Sequence, residues 1–247
     1  MKYGVFSDAH SNYAALKAVL EKFRQEGAEG YICCGDLVGY GPDAEACVEE
    51  IRKLPNLTCV MGNHDKALTD MSLLDFFAPD SIEPIRYANS ELSPKNFAFI
   101  SALPQYFKGD DFSVVHGTFN DPYKEYLLTP AQFKQNADKW PGRICFVGHS
   151  HMPFIMHCKN GEDKVSLGLF PEQEMEIKLS PDRRYIINPG SAGQPRDGNT
   201  AACAGIYDAD TFSFKLFRAP YDVSETVVKM RDKMFEKRLL ERLETGL

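Results

Sequence analysis

No apolar stretch of the 247 residues approaches the roughly 20 needed to span a bilayer, so a membrane-embedded protein is not expected. Lys/Arg runs do not exceed short pairs such as Arg183-Arg184, and the formal net charge is −7. The basic stripe that grips a nucleic-acid backbone is missing, which disfavours extended DNA or RNA as a partner. The seven cysteines show no C-x-x-C spacing, and an odd count argues against a disulfide frame or a zinc knuckle. Cys33-Cys34 sit inside an apolar run, where reduced, buried thiols belong. The opening MKYGVFSDAH has neither a basic n-region nor an apolar h-region and reads as the start of a cytoplasmic protein. What remains is ordinary for a globular chain, with 43% hydrophobic and 26% charged residues, and long enough to bury a substantial core.

Short apolar runs, each ending at once in polar and glycine residues, recur along the chain. Lys2 to Phe6 runs into SDAH, Tyr31 to Cys34 into GD, and Leu57 to Met61 into GNHD. Phe112 to Val115 runs into HG, Ile144 to Val147 into GHSH, and Tyr185 to Ile187 into NPGS. Such runs read as buried strands. Between the first three lie helical patterns. Asn12 can cap a helix with apolar positions Ala15, Leu16, Val19, Leu20 and Phe23, ending at Gly27, and a second covers about 44–53. Alternating strands and helices imply a parallel sheet, with polar residues gathered at its carboxyl ends, where α/β sheets place their sites. Residues 66–110 carry Pro79, Pro84, Pro94 and Pro104 with helix-like spacing between, and read as a helical, cap-like insertion over the rim of that site. Hairpin strands are expected over 154–157 and 164–169, later strands over 201–207 and 213–217, and one amphipathic helix over 222–245. The whole of 1–247 is expected to be one domain.

Five of the six histidines, His10, His64, His116, His149 and His151, fall in the turns after these runs. A lone histidine is more often structural than a ligand, but five in such turns beside Asp, Asn and Gly are not explained one at a time. Asp8 and His10, two apart across a turn, can face one ion. Asp36 has two oxygens with which to bridge two cations, Asn63 offers a carbonyl oxygen, and His116, His149 and His151 offer imidazoles. Mixed nitrogen and oxygen ligation without thiolate suits Mn, Fe, Zn, Co or Ni better than Ca or Mg alone.

The blocks Asp8-Ala9-His10, Gly35-Asp36, Gly62-Asn63-His64-Asp65, His116-Gly117 and Gly148-His149-Ser150-His151 occur in order. Together they resemble the calcineurin-like metallophosphoesterase superfamily, and the stretch Asn188 to Gly198 resembles its small bacterial and archaeal phosphodiesterase-like branch. That resemblance implies an α/β, four-layer α-β-β-α sandwich of two mixed sheets. It implies two divalent metal ions, manganese first, with Asp8, His10, Asp36 and His151 on one and Asp36, Asn63, His116 and His149 on the other. Asp36 would bridge, and a hydroxide shared by the metals would attack phosphorus. His64 would contact the phosphate or protonate the leaving oxygen, with Asp65 orienting its ring. Around this set, Asn12 reads as a helix cap or a substrate contact, Tyr40 as a loop aromatic or a pocket wall, and Arg196 as an ion-pair partner or a phosphate contact. Gly190, Ser191 and Gly193 suit a backbone turn near the metals.

The expected activity is hydrolysis of a small phosphate ester, first a phosphodiester and second a dinucleoside polyphosphate such as diadenosine tetraphosphate. The motifs do not separate these, and they leave oligomeric state open. A protein-binding scaffold of the same fold, like a retromer subunit that lacks parts of the catalytic set, is disfavoured because every ligand position and His64 are present. A DNA-repair nuclease of the superfamily is disfavoured by the absence of a basic surface.

Overall fold

The computed structural model describes residues 1–170 and 173–247. In chain order the first half runs β1 (Lys2–Phe6), α1 (Tyr13–Glu26), β2 (Gly30–Cys33), α2 (Ala44–Arg52), β3 (Leu57–Cys59), α3 (Asn63–Thr69), α4 (Pro79–Glu91), α5 (Pro94–Ser101), β4 (Tyr106–Lys108) and β5 (Ser113–Val115). The second half runs α6 (Pro130–Asn136), β6 (Ile144–Phe146), β7 (Phe154–Lys159), β8 (Val165–Leu169), β9 (Glu174–Lys178), β10 (Arg183–Asn188), β11 (Ala202–Asp208), β12 (Ser213–Ala219), α7 (Val223–Asp232) and α8 (Lys237–Thr245).

Two mixed sheets result, ordered β3-β2-β1-β11-β12-β9 and β4-β5-β6-β10-β7-β8. The β1-β2-β3 and β5-β6-β10 pairings are parallel, so the polar turns after these strands emerge at sheet ends. Strand alternation builds the layers. Val5, Ile32, Phe146 and Ile187 point into the apolar layer between the sheets. Phe6 and Cys33 point the other way, onto Leu16, Val19, Val48 and Ile51 of α1 and α2. On the far side Cys145 and Ile186 pack under Phe133 of α6 and Trp140. Helices therefore flank both sheets, as expected. All seven cysteines are free, six of them buried. Among the described residues no helix is long and apolar enough to cross a membrane.

The region expected to be helical over 66–110 comprises most of α3, a 3-10 turn at Met71–Phe76, α4 and α5, but ends in a strand, β4, on the edge of the second sheet. The single helix expected over 222–245 is instead two. It breaks after Asp232, where Met234 takes a left-handed φ of 57° and lets Phe235 turn into the cluster of Met230, Leu239 and Leu243.

Candidate metal centre and its cleft

The turns after β1, β2, β3, β5 and β6 converge. Asp8 N–H donates to Gly35 O at 2.9 Å and His10 N–H to Asp36 O at 3.0 Å, so the first two turns are laced together. The loop after β10 braces them from behind. Ser191 Oγ donates to Asp8 O at 2.8 Å, and Asn188 Nδ2 donates to Gly148 O at 2.7 Å. Asp8, His10, Asp36, His149 and His151 all have φ between 45° and 67°. A left-handed backbone costs roughly 1–2 kcal/mol at each non-glycine residue, so this is strain concentrated where side chains must converge.

The hydrogen bonds fix which ring atoms face inward. His10 Nδ1 donates to Val38 O at 2.9 Å, His116 Nδ1 to Cys34 O at 2.8 Å and His151 Nδ1 to Gln194 O at 2.6 Å. A neutral imidazole carries one N–H, so each Nε2 turns a lone pair inward. The Nε2 atoms of His10 and His151 lie 3.1 Å apart, with Asp8 Oδ1 3.4 Å from His151 Nε2. On the other side His116 Nε2 lies 3.0 Å from Asn63 Oδ1 and 3.2 Å from His149 Nδ1. Between the two groups sits one oxygen, Asp36 Oδ2, 3.5 Å from His10 Nε2 and 3.3 Å from His116 Nε2. Acceptors aimed at one another repel unless a cation or a proton lies among them, and this donor set suits a divalent transition metal on each side. Asp8-His10-His151 and Asp36-His116-His149 are each close enough to share one ion.

The titration of these groups has the same origin. Burial, reinforced by the Asp36 charge, lifts Asp8 and Asp65 to about 7. Burial pushes His10 and His149 down to about 3, and His64 and His151 well below the usual histidine range. Burial also works against charge on His116 and Asp36, but their mutual attraction prevails. It raises His116 to about 10 and helps hold Asp36 well below the usual carboxylate range. A cation bound here would take the place of the His116 proton.

His64 stands beside this centre, buried, with no hydrogen-bond partner on Nδ1. Its ring is caged by Tyr40 at 4.5 Å, His10 at 4.6 Å and Phe77 at 4.9 Å between centroids. The orienting contact expected from Asp65 is not made. Asp65 instead accepts N–H groups of Leu37, Val38 and Gly62 at 2.9, 3.3 and 3.0 Å, pinning the turn after β2 to the start of α3. Asn12 is likewise committed elsewhere. It accepts from Ala15 N–H at 3.2 Å and Thr226 Oγ1 at 2.8 Å, and donates to Gly193 O at 2.8 Å. It is the cap of α1 and does not line the cleft.

That cleft, about 440 Å³, opens over Asp36, Asn63, His64, His149 and His151. Tyr40 and Arg196 line it, the guanidinium 5.5 Å from the Tyr40 ring centre. Its other walls come from stretches without a motif: Phe76 and Phe77 before α4, Tyr126 stacked on His149 at 3.9 Å, and Arg238 and Arg242 on α8.

Residues 1–211 match the calcineurin-like phosphoesterase superfamily domain, and the chain belongs to that superfamily of metal-dependent phosphate-ester hydrolases. It is 35% identical over 246 residues to an uncharacterized protein of Methanocaldococcus jannaschii, covering 98% of this chain and 97% of that one. The structure is similar to that of a metallophosphoesterase from Sphaerobacter thermophilus, with a TM-score of 0.87 and 31% identity over 100% of this chain and 99% of the other. A hypothetical protein from Pyrococcus horikoshii OT3 shares the fold, with a TM-score of 0.78 and 19% identity over 100% and 98% of the two chains.

Proposed function

We propose that the protein is a dinuclear metal-dependent phosphodiesterase acting on a small phosphorylated substrate, with Asp36 as the shared ligand. The position of Asp36 Oδ2 between the two inward-facing ligand groups carries this reading. Asp8, His10 and His151 would hold one cation, and Asn63, His116 and His149 the other. Manganese heads the candidates, with iron, zinc, nickel and cobalt behind it. Two such cations supply positive charge to the phosphoryl oxygens and acidify water.

The protein's own residues do the rest. The backbone lacing and the Asn188–Gly193 brace hold the ligands in place before substrate arrives, so little reorganisation is left for the reaction. His64 faces the entering phosphoryl group as a neutral donor, because burial keeps it uncharged. An anionic phosphate favours protonation of His64 from solvent, and the imidazolium gives that proton to the leaving oxygen as the P–O bond breaks, while the water whose oxygen joins phosphorus releases one proton to solvent. Tyr40 and Phe77 keep the His64 ring aimed. Asp65 acts one step removed, through the turn that carries Asp36.

The test is hydrolysis of bis(p-nitrophenyl) phosphate by metal-stripped protein reloaded with Mn, Ni, Co, Zn or Fe, alongside metal analysis. The proposal expects activity that saturates at two metals per chain. A folded protein that binds two metals yet hydrolyses nothing would leave only a scaffold.

A further inference from the structure

Four histidines turn a nitrogen into the centre, and three of them are aimed in the same way. His10, His116 and His151 each donate Nδ1–H to a backbone carbonyl, which fixes both the tautomer and the tilt of the ring. His149 departs from this pattern. Its inward atom is Nδ1, 3.2 Å from His116 Nε2. A neutral imidazole whose Nδ1 lone pair faces inward carries its proton on Nε2. That Nε2 is buried and has no hydrogen-bond partner among the described residues. The backbone of His149 is held, its N–H lying 3.2 Å from both carboxylate oxygens of Asp8. Rotation about the bond to an imidazole is soft, however, and a half-turn would put the ring carbon Cδ2 where Nδ1 stands.

What blocks that turn is another ring. Tyr126 lies flat on the imidazole, with centroids 3.9 Å and planes 12° apart. Among the described residues the next closest ring pair is at 4.5 Å. Stacked this tightly, the imidazole has no room to sweep an edge through the contact. Tyr126 is itself anchored. It sits in the connection from β5 to α6, the same segment that begins with His116. Its carbonyl accepts Gln132 Nε2 at 2.6 Å, and Gln132 Oε1 accepts Leu128 N–H and Thr129 N–H at 3.0 and 3.1 Å. Leu127 is buried with Phe133 and Trp140. One connection thus brings a ligand to the edge of the His149 ring and a flat wall to its face.

We infer that Tyr126 is the positioning residue of His149. Its ring replaces the hydrogen bond that the other three histidines make, and keeps Nδ1 turned toward the cation that Asn63 and His116 would also bind. The inference rests on the dinuclear reading above and gives the two cation sites unequal support. On one side both histidines are aimed by hydrogen bonds; on the other, one is aimed by a hydrogen bond and one by a stack.

The experiment titrates metal-free, full-length protein with Mn, reading free cation by electron paramagnetic resonance and heat by calorimetry. The wild type should take up two cations. Tyr126→Ala should weaken one of them about ten-fold, the scale for losing a group that orients a metal-binding histidine, and leave the other within about two-fold. Tyr126→Leu, which keeps bulk without a flat face, should show the same one-sided loss. Tyr126→Phe, which keeps the ring, should bind as the wild type does. Wild-type affinity at both sites in Tyr126→Ala or Tyr126→Leu, equal weakening of both cations, or a Tyr126→Phe as weak as Tyr126→Ala overturns the inference. A wild type that takes up one cation removes the dinuclear reading, and the inference then stands or falls on whether Tyr126→Ala weakens that cation. Binding is read without turnover, so a protein that shows the one-sided loss but hydrolyses nothing keeps the role of Tyr126 and removes the phosphodiesterase reading alone.

Discussion

Replacing Gly39 with alanine should separate turnover from metal binding. Gly39 has φ +92°, and a Cβ added there would lie 2.2 Å from His64 Nδ1 and 3.0 Å from its Cγ. Non-bonded heavy atoms rest about 3.5–4.0 Å apart, so ring and methyl must separate by more than about 1 Å. The ring cannot absorb this by a small tilt, because Tyr40, His10 and Phe77 cage it. A misplacement of about 1 Å costs on the order of 10²-fold in rate. Overpacking adds about 1–3 kcal/mol of instability and the positive φ about 1–2 kcal/mol more. For a chain of this size each kcal/mol is worth about 2–4 °C. We therefore expect Gly39→Ala to lose about 100-fold in turnover of bis(p-nitrophenyl) phosphate, to melt several degrees lower, and to keep two metals per chain. Once His64 is alanine the clash has no partner, so adding Gly39→Ala to His64→Ala should leave turnover nearly unchanged. Turnover within three-fold of wild type in the single variant, or multiplicative losses in the double variant, would refute the claim that Gly39 acts through His64.

Asp36→Asn removes the charge between the two ligand groups and should cost both metals together with activity, as read by elemental analysis; two metals retained would contradict the bridging assignment. Stability should respond to pH through the ligands. Asp8 and Asp65 rise to about 7 and His116 to about 10, so in metal-free protein their contribution is full below the unfolded values and is lost as pH climbs through 7 and 10. His10 and His149, lowered to about 3, contribute fully above their unfolded value and lose that contribution only as pH falls. Metal-free protein should therefore weaken above pH 7, where bound cations compensate. The melting-temperature gap between Mn-loaded and chelator-treated protein is expected to widen between pH 6.5 and 9, and a constant or shrinking gap would oppose this account.

The candidate metal ligands were readable because each lies in a turn just after a short β-run, and Asp36, Asn63, His116 and His149 also sit beside glycine, so local spacing places them at sheet ends. Asp65 misled for the opposite reason. Adjacency to His64 suggested a contact, whereas a helix start turns consecutive side chains apart, and Asp65 closes onto backbone N–H groups of another turn. Strand β9 had a usable signal in the alternation Glu174-Met175-Glu176-Ile177-Lys178, with Met175 and Ile177 packing against the layer between the sheets. The break at Met234 had none, since neither glycine nor proline marks it and the gain comes from burying Phe235 beside Tyr87. Tyr126, Phe76 and Arg242 were likewise invisible, because what unites them is a shared cleft between segments far apart in the chain.

The floor and the walls of that cleft are written in separate stretches of chain. Everything that could touch a metal ion belongs to turns laced into the sheets. Most of what could touch the remainder of a substrate belongs to residues 73–81, 123–126 and 238–242. None of those stretches carries a candidate ligand, although Tyr126 stacks on His149 and Phe77 packs on His64, so rewriting the remaining wall residues could refit a common hydrolytic engine for new clients.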